Sequence, residues 1–153
     1  MGNSFTKALA WDLLQEGFKI EVPQMTFDDP SDYGKHEIDL FIELAGQRQN
    51  IEVKSRDILI TPDKRLFYWS EYKGDFAEGQ GLLIDEVDDW ERKQHDVLAV
   101  VVVSQISEER LVIPVETKQA WKITDRGYGA SYEVPIRSAL TWSEGVKWLQ
   151  GIG

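Results

Sequence analysis

The stretch HEIDLFIELAGQRQNIEVKS, residues 36–55, decides the fold of this chain. Its first half alternates apolar side chains with other types at the period of two that is typical of a half-buried strand. One face would carry Ile38, Leu40, Ile42 and Leu44, and the opposite face would carry Asp39, Phe41 and Glu43. The alternation resumes further on, with Ile51 and Val53 against Glu52 and Lys54. The pattern predicts two antiparallel strands joined by a short turn.

The turn sets how the two strands pair. A two-residue type II′ turn requires glycine at its first central position, so Gly46 and Gln47 are predicted to form it. In that register the apolar residues of the two strands pair with one another, and Asp39 lies directly opposite Lys54. Asp39 and Glu52 are then diagonal neighbours on one face, roughly 7–8 Å apart at the backbone. A four-residue loop keeps this facing, whereas a three-residue loop turns Asp39 to the other side.

Two carboxylates on one face can converge on a single cation. Mg²⁺ prefers oxygen ligands and keeps several waters, so Asp39, Glu52 and a neighbouring backbone carbonyl would hold it with water positions left open. A bound water can then be deprotonated to attack a phosphodiester. Lys54, beside Glu52, can orient that water or offset the charge that develops on phosphorus oxygens. The pattern therefore favours metal-dependent phosphodiester hydrolysis.

The same residues resemble the core motif of the PD-(D/E)XK nuclease superfamily, in which an acid enters the second strand and E-x-K follows on the third. The resemblance implies that Asp39 and Glu52 bind Mg²⁺, with Mn²⁺ able to substitute, and that Val53 lends its carbonyl. It also implies that Lys54 assists catalysis. Ile38 stands where the family name has proline.

The predicted element order is similar to the αβββαβ core of that superfamily. We therefore expect an α/β domain of restriction-endonuclease-like or Holliday-junction-resolvase-like type, with a mixed central sheet. The core spans about residues 4–103, and residues 104–153 form a C-terminal extension of the same single domain. Many members carry a glutamate on the first helix, for which Asp12 and Glu16 are both candidates. Resolvases place a glutamine on the helix after the third strand, and Gln80 lies at about that place.

Several cations and aromatic residues between positions 35 and 73 are candidates for DNA contact, because basic groups grip phosphates and aromatic rings stack on bases. The candidate cations are Lys35, His36, Arg56, Lys64, Arg65 and Lys73. A surface histidine at a strand start is the alternative for His36, and a β-hairpin or a dimer surface is the alternative for residues 64–73. Residues 82–94 are expected to be a helix, or a short strand leading into one, whose acids from Asp85 onward form a solvated face.

Composition excludes several other classes of protein. The chain has 153 residues, which suits one domain, and no cysteine, which removes disulfide scaffolds, thiolate metal sites and cysteine nucleophiles. Its longest apolar run, residues 97–103, is far shorter than the about 20 residues of a membrane helix. The first residues lack the features of a secretory signal, so we expect a cytoplasmic protein without membrane contact. The net charge of −10 argues against passive coating of nucleic acid.

Three functions remain open on the sequence alone. The first is a Mg²⁺-dependent DNA endonuclease that acts as a homodimer or higher homo-oligomer, because one small site cuts one strand. The second is a DNA-binding module on the same fold that is catalytically inactive. The third is an acidic interaction protein that imitates DNA, with which the negative charge is also compatible.

Overall fold

The computed structural model describes residues 3–23, 39–92, 96–125, 127 and 129–152. Within these residues the α-helices are α1 (Asn3–Gln15), α2 (Val87–Arg92) and α3 (Trp142–Ile152). The strands are β1 (Lys19–Glu21), β2 (Leu40–Leu44), β3 (Gln47–Arg56), β4 (Leu59–Ile60), β5 (Leu66–Ser70), β6 (Asp75–Gly79), β7 (Gly81–Glu86), β8 (Val97–Ser104), β9 (Arg110–Pro114), β10 (Lys122–Asp125), β11 (Ala130–Pro135) and β12 (Leu140–Thr141). Short 3₁₀ helices occupy Val115–Ala120 and Ile136–Ser138.

Six strands form a central sheet in the order β1-β2-β3-β8-β9-β12. Strands β3 and β8 are parallel, whereas the other neighbouring pairs are antiparallel. The predicted fold class, α/β with a mixed central sheet, is confirmed. Residues 104–153, which the sequence analysis treats as an extension, contribute β9 and β12 to this central sheet and close the chain with α3.

The central sheet is packed on both faces. On one face, Leu9 and Leu13 of α1 and Leu149 of α3 share a buried core with residues of β2, β3, β8 and β9. On the other face, the sheet β10-β11-β7 and residues of β4 and β5 enclose a second core. Strand β8 lies between these layers, with Val100 facing one core and Val101 the other. This position explains its continuous apolar sequence, as expected for a strand buried on both faces.

The hairpin between β2 and β3 forms as predicted, but its register differs. Ala45 and Gly46, with φ angles of 52° and 76°, are the two central residues of the turn, and positive φ at both positions is typical of type I′. Leu44 therefore pairs with Gln47, and Leu40 pairs with Ile51. The predicted turn at Gly46 and Gln47 was wrong. The pairing moves by two residues, so each side chain keeps its predicted face.

The segment between β3 and β8 differs most from expectation. Residues 57–80 hold the antiparallel sheet β4-β5-β6, and β7 then leads into α2, which is the second of the two alternatives for residues 82–94. The stretch FKIEVPQM, residues 18–25, predicts a strand that Pro23 favours at a sheet edge. In its described part this stretch contains β1, and residues 24 and 25 lie outside the described residues. None of the helices in the described chain is long and apolar enough to cross a membrane.

Candidate active site

Asp39 stands immediately before β2, next to the middle of β3. The backbone N–H of Val53 donates to Oδ2 of Asp39 at 2.7 Å. Continuing the β2–β3 register by one residue sets Asp39 opposite Glu52. The turn predicted from the sequence would have set Asp39 opposite Lys54. Because the N–H and C=O groups of one strand residue point to the same side, the Val53 carbonyl also points towards the Asp39 edge. The start of β2 therefore brings the Asp39 carboxylate to the Val53 peptide group of β3.

Glu52 and Lys54 share one face of β3, as the alternation predicts. Glu52 is only 4% exposed, because β3 lies inside the central sheet between β2 and β8. Its Oε1 is 3.9 Å from Nζ of Lys54, whose side chain is 23% exposed. In the neighbouring strand, Val100 and Val102 are the residues paired with these two positions. A buried carboxylate requires compensation by a nearby positive charge, and Lys54 supplies it.

A further acid, Asp85, joins this site from the second sheet. Oδ2 of Asp85 lies 3.8 Å from Nζ of Lys54, and the Asp85 side chain is 10% exposed. The expectation that Asp85 belongs to a solvated helix face was wrong, because it lies in β7. The signal for a strand is the alternation of Leu82 and Ile84, both of which are buried. The sequence pattern does not predict that Asp85 contacts Lys54, because β7 and β3 belong to two different sheets.

Arg56 lies on the same face of β3 as Lys54 and also reaches β7. Its guanidinium donates to the carbonyls of Ile84 at 2.8 Å and Leu83 at 3.4 Å. Burial lowers the pKa of the Arg56 guanidinium, and the charges of Asp85 and Glu52 oppose that shift. This arginine, a candidate DNA contact in the sequence analysis, serves to bind the two sheets together.

The first-helix acids lie away from this cluster. The apolar side of α1 packs on the face of the sheet opposite to Glu52 and Lys54. Asp12 pairs with the guanidinium of Arg110 at the start of β9, and Glu16 is exposed just beyond the end of α1. The structure therefore does not bring either candidate to the site.

Gln80 also takes a different position from the one expected. It is an exposed residue at a bend between β6 and β7, and its backbone carbonyl accepts a hydrogen bond from the N–H of Ile136 at 3.0 Å. The prediction that Gln80 lies on a helix after the third strand was wrong, because β4, β5 and β6 occupy the segment that follows β3. Its side chain has no described contact with the acids of the site.

The other candidate DNA contacts are spread over the surface. Lys35 and His36 lie outside the described residues. Nζ of Lys64 donates to the carbonyl of Ala139 at 2.8 Å, and Arg65 pairs with Glu78 at 2.7 Å within the β5–β6 hairpin. Lys73 is exposed in the turn between those strands. Strands β5 and β6 pair as a hairpin, which is one of the arrangements expected for residues 64–73, and Trp69 and Tyr72 are exposed near its tip.

The donor set at the site consists of oxygen atoms. In the described part of the chain, no group of three or more histidine, aspartate or glutamate side chains is placed to hold a metal ion. Asp39 and Glu52 nevertheless offer two carboxylates, and Val53 adds a peptide carbonyl on the same edge. Hard divalent cations such as Mg²⁺ are commonly bound by one or two carboxylates with water completing the shell. The residues present fit such an ion.

Comparisons with known proteins include a similarity to a solved structure. No protein-family model matches the sequence, and no curated protein matches it. Among solved structures, a bacterial homing endonuclease, I-Ssp6803I, is similar with a TM-score of 0.47 and 16% sequence identity. The matched region covers 88% of this chain and 72% of the endonuclease chain. What this chain does must therefore be inferred from its own residues.

Proposed function

We propose that the chain is a metal-dependent endodeoxyribonuclease that hydrolyses phosphodiester bonds in DNA. The observation that carries this proposal is a pair of contacts at Val53. The Val53 N–H donates to Asp39 at 2.7 Å, and the two residues that flank Val53, Glu52 and Lys54, lie 3.9 Å apart through Oε1 and Nζ. Two carboxylates beside an ammonium group combine a cation-binding element with a positive charge that can stabilise a phosphoryl transition state. These residues belong to the sequence motif that resembles the PD-(D/E)XK superfamily.

Asp39, Glu52 and the Val53 carbonyl would hold the divalent cation, which we propose to be Mg²⁺ with Mn²⁺ able to substitute. When bound, such a cation supplies Lewis-acid stabilisation of phosphoryl charge and lowers the pKa of water in the site. The Val53 N–H keeps the Asp39 carboxylate on the correct edge through the 2.7 Å hydrogen bond. The burial of Glu52 limits competing water around its carboxylate, which strengthens its attraction to a cation.

Lys54 is the proposed cationic catalyst. Its ammonium group lies beside Glu52, and part of its side chain remains exposed, so a phosphate oxygen can reach it. In this position Lys54 donates hydrogen bonds to a non-bridging phosphate oxygen or orients the attacking water. Loss of the ammonium group is expected to reduce the rate of cleavage more than the affinity for DNA.

The proposed substrate is cytoplasmic DNA, and two copies of the chain are proposed to act together because one site of this size cuts one strand. Two coupled sites convert supercoiled plasmid directly to the linear form, whereas an isolated site accumulates nicked circles. Sedimentation velocity across a range of protein concentrations measures the oligomeric state. A monomer that yields only nicked circles would contradict the homodimer.

The decisive experiment is incubation of the protein with supercoiled plasmid and a labelled four-way junction in Mg²⁺, Mn²⁺ or EDTA. We expect metal-dependent cutting by the natural chain and its loss in Asp39→Asn, Glu52→Gln and Lys54→Met. Lys7→Met, which removes an exposed charge from α1 on the opposite face of the sheet, is the matched control and should retain activity. DNA binding without cutting would replace the proposal by the inactive binding module, and cutting that survives all three site variants would overturn the assigned residues.

Cation binding can be measured without any DNA. A ligand that binds only the folded state at ten times its Kd stabilises it by about 1.4 kcal/mol. For a domain of this length, that stabilisation raises the Tm by about 3–6 °C. We expect this rise with Mg²⁺ for the natural chain and a much smaller one for Asp39→Asn, with no site-dependent rise in K⁺ at equal ionic strength. An equal rise in both proteins would show that the cation binds elsewhere.

A second candidate function, an acidic interaction protein that imitates DNA, is favoured by the charge distribution. The net charge is −10. Among the cations that the structure describes, Arg65 and Arg110 pair with carboxylates, and Lys64 donates to a backbone carbonyl. These contacts reduce the positive charge offered to DNA. A chain that binds none of the test DNAs even at low salt, where phosphate contacts are strongest, would support this second function.

A further inference from the structure

The ammonium group of Lys54 contacts two carboxylates, one on its own strand and one on a strand of a different sheet. Nζ of Lys54 lies 3.9 Å from Oε1 of Glu52 and 3.8 Å from Oδ2 of Asp85. The side chains of both acids are almost removed from solvent, and that of Lys54 is largely so. Water and salt screen such a contact less than they screen an ion pair on the surface. The position of the Lys54 ammonium group is therefore set by Asp85 as well as by Glu52.

Arg56 keeps Asp85 at a defined distance from β3. It lies two residues beyond Lys54 on the same face, and its guanidinium binds the carbonyls of Leu83 and Ile84 in β7. Hydrogen bonds from a charged donor are stronger than neutral ones, so β7 cannot shift along β3 without losing them. In addition, Oδ1 of Asp85 accepts the backbone N–H of the next residue at 3.1 Å, which orients the carboxylate.

We propose that Asp85 is a positioning residue of the candidate active site, whose carboxylate holds the ammonium group of Lys54 beside Glu52. The catalytic consequence rests on the proposed nuclease function. Lysine carries a point charge at the end of a flexible stem, so a single neighbouring carboxylate leaves it several positions. A second carboxylate on an anchored strand reduces that freedom, and Asp85 acts on catalysis through Lys54.

The test compares Asp85→Asn with the natural chain in cleavage kinetics. Asparagine can keep the oxygen that accepts the neighbouring N–H, whereas the negative charge is lost and the oxygen that faces Lys54 becomes an NH2 group. We expect kcat to fall at least tenfold, while the KM for DNA and the Mg²⁺ concentration at half-maximal rate stay within twofold. Asp85→Glu should restore part of the rate. Glu86→Gln, a change at the exposed neighbouring acid of β7, is the matched control and should cleave like the natural chain.

A double variant separates positioning from a general structural role. In a Lys54→Met background, Asp85→Asn should change the residual rate less than twofold, because the group it positions is gone. The proposal is overturned if Asp85→Asn alone cleaves within twofold of the natural chain. It is also overturned if the change lowers the residual rate of Lys54→Met as much as it lowers the natural rate.

Thermal unfolding tests whether Lys54 and Asp85 interact, even if the natural chain cuts no DNA. That result would end the nuclease proposal and leave the Lys54–Asp85 contact still open to measurement. A combined loss of Tm in the double variant that is smaller than the sum of the two single losses supports the contact. Losses that add within error overturn it.

Discussion

Replacing Gly145 by alanine tests how α3 packs on the central sheet. Gly145 is buried in the first half of α3, where the helix crosses β9. A methyl group at this position would lie 2.4 Å from Cγ2 and 2.6 Å from Cβ of Val112. Val112 is completely buried, and its Cβ is attached directly to the strand backbone. Rotation of the valine side chain therefore cannot remove the overlap, and the helix has to move away from the strand.

The size of the effect follows from these distances. Carbon atoms in contact prefer a separation of about 3.5–4.0 Å, so α3 has to move by about 1 Å. Overpacking of a filled core costs about 1–3 kcal/mol. Alanine in place of glycine within a helix returns about 0.5–1 kcal/mol. The difference spans about 0–2.5 kcal/mol. Because the overlap includes a Cβ that is fixed to the strand, we expect the upper part of this range, about 1–2.5 kcal/mol, which lowers the Tm of a domain of this length by about 2–10 °C.

Gly151→Ala is the matched control, since it makes the same change in the same helix with nothing within 4 Å of the added methyl group. It should raise the Tm by about 1–4 °C through helix propensity alone. The assay is circular dichroism at increasing temperature for both variants. A Gly145→Ala protein that melts at or above the natural Tm would refute the described packing of α3 on β9.

Three further predictions concern single hydrogen bonds and one turn. Ser104→Ala should cost about 1–3 kcal/mol in urea unfolding, because its buried hydroxyl donates to the Ile58 carbonyl at 2.6 Å and accepts two backbone N–H groups; an unchanged midpoint would contradict these contacts. Hydrogen bonds from Thr141 lower the pKa of Glu144. The ionised Glu144 carboxylate therefore stabilises the folded state at a pH above its ordinary pKa of 4.5, and this stabilisation is lost as the pH falls through the lowered pKa. Glu144→Gln should therefore melt below the natural chain at pH 7, with a gap that narrows in acid; a constant gap would argue against the cap. Ala45→Asn should add up to about 1 kcal/mol, since asparagine tolerates positive φ better than alanine, and a lower Tm would count against the type I′ turn.

The sequence predicts the parts of the fold that depend on local pattern. Strands β2, β3 and β8 follow from alternation or from a continuous apolar run, and α3 follows from its amphipathic spacing. The position of Asp85 could not be predicted in this way, because its contact with Lys54 requires β7 to pack against β3 across two sheets. Gln80 was misplaced for a related reason, since the three-stranded sheet over residues 57–80 has no strong periodic signal.

The sequence predicts that Asp39 lies beside the charged face of β3 in spite of the wrong turn, and the geometry of a strand explains why. Positive φ at an alanine is unusual, so the sequence favoured Gly46 rather than Ala45 as the first turn residue. That choice displaced the pairing by two residues, and two is the period at which side chains return to the same face. Asp39 consequently moved from opposite Lys54 to opposite Glu52 without leaving the charged face. A displacement of one residue would have turned Asp39 into the apolar core beneath α1, where no cation site could form. Burial of the aliphatic face excludes that register, so the pairing of acids on the other face is a consequence of the hydrophobic pattern itself.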